Sequence, residues 1–153
     1  MYLTVHGTTA MLIARSVPNP FVAFLLALAS HFVLDFIPHG DEHLLKAHFT
    51  RGQTARRMFG AASLDGLILL GFVAIFLWVG PTVNTSTFIW SLIGALLPDV
   101  LQGIYFATET KWLKPFQNFH LGIHNASNHP LNWHQGMLVQ CLVLTAVWLF
   151  SIF

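Results

Sequence analysis

Long apolar stretches, almost free of charge and separated by polar segments, constrain this chain more than any other feature. From about Ala61 to Val79, Phe88 to Phe106 and Gln135 to Phe153 the sequence stays apolar over nearly the length a bilayer asks of a helix, about 20 residues. Two further apolar segments precede these. Leu3 to Ala14 is marginal in length, and Pro20 to Ile37 is stopped by Pro38-His39-Gly40. Ser16-Val17-Pro18-Asn19-Pro20 turns the first into the second. The expected fold class is all-α: a polytopic transmembrane helical bundle of about five segments, the first two forming a helical hairpin, with residues 1–153 as one integral-membrane domain. Composition agrees. Hydrophobic residues make up 55 % and charged residues 8 %, against roughly 25 % charged in soluble domains. A net charge of +1 gives no case for nucleic-acid binding, and the single Cys141 allows no internal disulfide.

Phe21 to Ser30 resembles a signal-peptide core ending in Ala27-Leu28-Ala29. The region before it is long and apolar, with Arg15 its one basic residue, and the apolar run continues through Phe32, Val33, Leu34, Phe36 and Ile37. The segment therefore reads as a retained helix. The polar loops, Asp41 to about Gly60 and Thr108 to Trp133, carry six of the seven basic residues, leaving Arg15 alone opposite them. The positive-inside bias puts both loops and the amino terminus in the cytoplasm, with the chain in the cell's inner membrane.

The ionisable residues then fall into one layer. His6 starts the first segment on the polar-loop side. His31, Asp35 and His39 end the second, Asp65 opens the third, Asp99 lies in the matching half of the fourth, and His120, His124, His129 and His134 precede the fifth. A charge in hydrocarbon costs at least about 2.5 kcal/mol, so such groups normally face one another or a wet cavity. His31 and Asp35, four apart, share a helix face and can grip one ion; neutral imidazole and carboxylate are common ligands of zinc and similar divalent metals. Alternatively Asp35 only orients His31. Asp99 follows Pro98, which frees a backbone carbonyl inside its helix, and there it needs a cation or a donor. Asp65, beside Gly66, reads as a cap of its own helix. Among the late histidines His134 is favoured by depth. There is no Gly-x-Ser-x-Gly, no phosphate loop and no Cys outside the last apolar run. A metal-activated water is the nucleophile left.

The His6 segment, the block Ser30-His31, Asp35 and Pro38-His39-Gly40-Asp41, the block Gly94 to Asp99 and the late histidine run together resemble the membrane-bound metal-dependent hydrolase family, which includes a LexA-binding, inner-membrane-associated hydrolase. The resemblance covers most of the chain in order. It implies a small polytopic bacterial or archaeal membrane protein with a divalent-metal site and hydrolase activity. The chain departs from the family pattern twice. Leu101 stands where the family often has a second acid, and the late motif is divided between His120-Leu121-Gly122-Ile123-His124 and His134-Gln135-Gly136. A ligand of the pattern is missing here or comes from elsewhere.

The reading that joins these observations is a hydrolase of the cytoplasmic membrane interface, acting on a membrane lipid or lipid-linked phosphoester. The expected ligands of a divalent metal, zinc first, are His6, His31, Asp35, Asp99 and His134. His39 and His124 are the candidate catalytic groups, with Asp41 and His120 as further ligands or proton carriers. The rivals are a metal or proton carrier, a haem-binding electron carrier and a structural membrane protein. The apolar opposite half of the chain offers a carrier no polar stepping stones, and a haem site would leave the aspartates without a role.

Overall fold

A helix that is apolar on most of its surface is stable where lipid is the solvent, and the chain builds three that are long and apolar enough to cross a membrane: Gly52–Val79, Thr85–Thr108 and Trp133–Ile152. The computed structural model describes residues 1–40, 50–126 and 131–153, and among them the regular structure is entirely helical. The helices are α1 (Leu3–Ser16), α2 (Pro20–Asp35), α3 (Arg51–Val79), α4 (Thr85–Thr108), α5 (Lys114–His124) and α6 (Trp133–Ile152), with a 3-10 turn at Lys111–Leu113 before α5.

Among the described residues, three of the five expected segments are helices long and apolar enough to span, and the first two are shorter helices. With 14 and 16 residues, α1 and α2 extend about 21 and 24 Å at 1.5 Å per residue, short of a hydrocarbon core about 30 Å thick. They do form the expected hairpin, started on the α2 side by Asn19, whose side chain accepts from the amides of Phe21 and Val22. Its place in the bundle explains its length. α1 packs against α2, α3, α4 and α6, and Thr4 to Thr8, Ala10, Met11 and Ala14 are all buried. A helix enclosed by protein is free of the length and polarity limits that lipid sets, so α1 can carry threonines and a histidine.

Two polar segments are more ordered than their composition suggests. α3 begins at Arg51, ten residues before the apolar run, because Thr50 and Gln53 form a reciprocal capping box. The stretch after α4 folds back as α5, with Pro115 in its first turn, where a missing amide hydrogen costs nothing.

Close crossings are made by small residues. Ala23 and Ala27 on α2 face Ser91, Gly94 and Ala95 on α4, and all are buried. At Gly94 a Cβ would stand 2.4 Å from the carbonyl oxygen of Phe24, so only glycine lets the two backbones meet there. The same stripe of α2 continues, one turn at a time, into His31 and Asp35. Toward the other end Met11, Ala14, Leu69, Phe76 and Phe88 form an apolar core, with Trp148 packed against it. There Arg15 donates to the carbonyls of Phe150 and Phe153 at the end of α6, where a cation also meets the negative end of the helix dipole.

Candidate metal centre

Asp35 is the last residue of α2 and its carboxylate is buried. One carboxylate in a low-dielectric interior must be compensated, and imidazoles from three elements surround it. His31 Nε2 and His120 Nε2 each lie 2.9 Å from Oδ2, and His124 Nε2 lies 3.1 Å from the same oxygen. His6 Nε2 lies 3.2 Å from Oδ1. The Met1 amino group contacts Oδ1 as well and is 2.9 Å from His39 Nε2.

Each donor is placed by its helix. His31 and Asp35 share the inner face of α2. His120 and His124, also four apart, share the inner face of α5, where Gln117 is buried beside them. His6 lies on the enclosed α1 and stacks on His31, with ring centroids 4.0 Å apart. Asp99 follows Pro98 in α4, its Oδ1 3.9 Å from His31 Nε2. His39 sits just past α2, in a turn closed by Gly40 at φ +71° and seated on Gly136 of α6. The side-chain amide of Gln140, also on α6, donates to the His39 carbonyl at 3.0 Å.

This arrangement has the donor chemistry of a cation site. His31, Asp35, Asp99 and His120 offer ligand atoms that all lie within 4.8 Å of one another, a set able to hold a divalent metal ion. His31 Nδ1 is 2.7 Å from the carbonyl oxygen of Ala95. A carbonyl only accepts, so Nδ1 carries the hydrogen and Nε2 presents its lone pair to the cluster. Ligand histidines in metalloproteins are typically held this way. Oδ2 of Asp99 and Nε2 of His6, both turned to the cluster, are buried without a hydrogen bond of good geometry. Each such group costs about 1–3 kcal/mol, and a cation among them would offset much of that cost. The residues present therefore fit a metal.

Most of the sequence-predicted set converges. His6, His31, Asp35 and Asp99 meet in one place, as do His39, His120 and His124. His134 does not. It is exposed in the first turn of α6 and packs on Trp133, and His120 stands in the group where a late histidine was expected. Nearness to the apolar run misleads here, because α5 returns the chain to the bundle before α6 begins. Asp65 belongs to another task. It lies in the middle of α3, where its carboxylate accepts from the Thr4 amide at 3.1 Å and from the Thr4 hydroxyl. It thus caps α1 rather than its own helix. Asp41 and His129 lie outside the described residues.

A cavity of about 400 Å³ opens beside the cluster. The first residues of α1, the early part of α3 and the later part of α4 line it, mostly with apolar side chains such as Phe59, Val100, Ile104 and Phe106, and it reaches Asp99 and His124. Comparison with protein-family models, with curated proteins and with solved structures finds no match to this chain.

Proposed function

We propose that the protein is a metal-dependent hydrolase of the cytoplasmic membrane interface, acting on a lipid or lipid-linked phosphoester. The observation that carries this reading is the apolar cavity that ends on the buried His/Asp cluster. A volume of about 400 Å³ is that of a small-molecule site. Its apolar walls suit hydrocarbon, while Asp99 and His124 in its lining suit a polar, reacting group. A purely structural cluster would have no use for such an approach.

His31, Asp35, Asp99 and His120 would hold the metal, with His6 packed against them, and imidazole with carboxylate favours zinc. The metal, when bound, lowers the pKa of water toward about 7 and polarises a phosphoryl oxygen. The remaining work belongs to the chain. Asp35 orients the imidazoles from α2 and α5 that converge on its Oδ2. His124 lines the cavity and touches Asp35, so its Nε2 is placed to give or take a proton at the ester. His39 stands ready for the same exchange from the other side of Asp35. The apolar walls hold the hydrocarbon part of the substrate and keep bulk water away. Arg56 and Arg57 on α3, with Lys111 and Trp112 before α5 and Lys114 at its start, are basic and aromatic groups suited to an anionic headgroup. The positive-inside bias orients these segments to the cytoplasm, and the resemblance to the membrane-bound metal-dependent hydrolase family points to the same chemistry.

The test is release of phosphate or headgroup from a panel of lipid phosphoesters, with each candidate metal added to purified protein. Wild type should turn over at least one of them. Asp35→Asn should abolish turnover and metal retention together, and Arg56→Ala with Arg57→Ala should keep the metal but raise KM. Metal-replete protein that hydrolyses nothing, yet moves metal or protons across liposomes in an Asp35-dependent way, would make it a carrier instead.

A further inference from the structure

The donors around Asp35 are more than one ion can use. A zinc ion of the usual kind takes four ligands, whereas His6, His31, His39, Asp35, Asp99, His120 and His124 all crowd the same centre. Two sets of mutually close ligand atoms stand out among them. His31, Asp35, Asp99 and His120 make one group of mutually close ligand atoms, and Asp35, His39 and His124 make another, each within 4.8 Å. Asp35 is the member they share.

Resting on the metal-site reading above, we infer that the centre holds two divalent cations bridged by the Asp35 carboxylate: one among His31, Asp99 and His120, the other between His39 and His124, whose Nε2 atoms then serve as ligands in place of the proton exchange assigned to them in a one-metal site. The second group has its own built support. His39 Nδ1 lies 2.6 Å from the carbonyl oxygen of Ile37, so that nitrogen donates and Nε2 turns its lone pair inward, as His31 does through Ala95 in the first group. The histidine is held by a turn that α6 grips twice. Gly136 is so close that a Cβ there would meet the His39 carbonyl oxygen at 2.3 Å, and Gln140 donates to that same oxygen at 3.0 Å. The ring is thus fixed from within the turn and the backbone from α6, which holds Nε2 toward Asp35. The Met1 amino group holds this place in the structure, in contact with Asp35 and 2.9 Å from His39 Nε2, so the position already accepts a positive group, which the second ion would displace.

Two dications against the carboxylates of Asp35 and Asp99 leave a positive centre, which an anionic ester oxygen would complete. Paired metals about 3.5–4 Å apart serve this purpose in many phosphoester-cleaving sites, stabilising both the attacking and the leaving oxygen. His124 lines the cavity and so brings the second ion to the side on which the substrate would bind.

The experiment counts metal rather than turnover. Purified full-length protein in detergent is saturated with Zn²⁺ or Mn²⁺, freed of excess metal by gel filtration and analysed by elemental mass spectrometry. The Mn²⁺ form is also examined by electron paramagnetic resonance. Wild type should retain two equivalents and show a spin-coupled Mn²⁺ pair. His39→Ala and His124→Ala should each retain one, with the spectrum of an isolated ion, and Asp35→Asn, which removes the ligand common to both, should retain neither. If a variant fails to fold, wild type alone decides. One equivalent with an uncoupled spectrum at saturation overturns the pair while leaving a mononuclear hydrolase standing. No retained metal overturns both.

Discussion

Gly94→Ala tests how tightly the packing of α2 on α4 controls the centre. A Cβ on residue 94 would lie 2.4 Å from the Phe24 carbonyl oxygen, and no flexible side chain is present at that contact to give way. An ordinary carbon–oxygen contact is about 3.3 Å, so the helices must part by about 0.9 Å. The next residue, Ala95, accepts the hydrogen bond of His31 Nδ1 at 2.7 Å. The same displacement takes that bond to about 3.6 Å, beyond a useful length. Overpacking should cost about 1–3 kcal/mol of stability, and loss of the carbonyl that orients a ligand histidine should weaken metal binding about 10–100-fold. Gly103→Ala, on the same helix with nothing within 4 Å of the added carbon, is the control. It should be neutral or stabilising by up to about 1 kcal/mol, since alanine favours helix more than glycine does. Competition with a fluorescent chelator reads the affinity, and thermal unfolding in detergent reads the stability. If Gly94→Ala binds metal as wild type does and melts like Gly103→Ala, the coupling of helix crossing to ligand orientation is mistaken.

Three shorter predictions come from other parts of the molecule. His120→Ala should strip metal from the protein while His134→Ala leaves retention unchanged, measured by elemental analysis after gel filtration; equal effects would mean that the grouping around Asp35 does not govern binding. Asp65→Leu should destabilise the fold by about 2–4 kcal/mol, because the Thr4 amide and hydroxyl lose their acceptor in a buried place, and the unfolding midpoint in detergent will register it. Cysteine labelling at Thr54, near the start of the span Gly52–Val79, and at Thr85, the start of the span Thr85–Thr108, should report opposite sides of the membrane with Thr54 cytoplasmic; outside access at both would refute the orientation.

What could be read from the sequence was whatever lipid or a single helix face dictates locally. The apolar runs became α3, α4 and α6 because an apolar surface has one suitable solvent. His31 with Asp35, and Asp99 after Pro98, were legible because spacing along one helix fixes a shared face. What escaped was decided between helices. α1 is marginal in length for a span, and the structure accounts for this by enclosing it, a placement no local pattern states. Asp65 beside a glycine resembled a helix start, but its partner Thr4 lies on another helix, and only packing brings them together. α5 is the telling case, since its signal was present in the sequence. Leu113, Gln117, His120 and His124 follow one another at helical spacing, and Leu113, Gln117 and His120 are buried. That stripe is polar, so it does not register as an amphipathic helix when burial is equated with hydrophobicity. Inside a membrane protein the equation can reverse. Lipid takes the apolar faces, and a stripe of glutamine and histidine turns inward because only the centre of the bundle offers it partners. A periodic polar face in such a chain is therefore a stronger pointer to a ligand than a histidine's distance from the nearest apolar run, and this is why His120 rather than His134 stands beside Asp35.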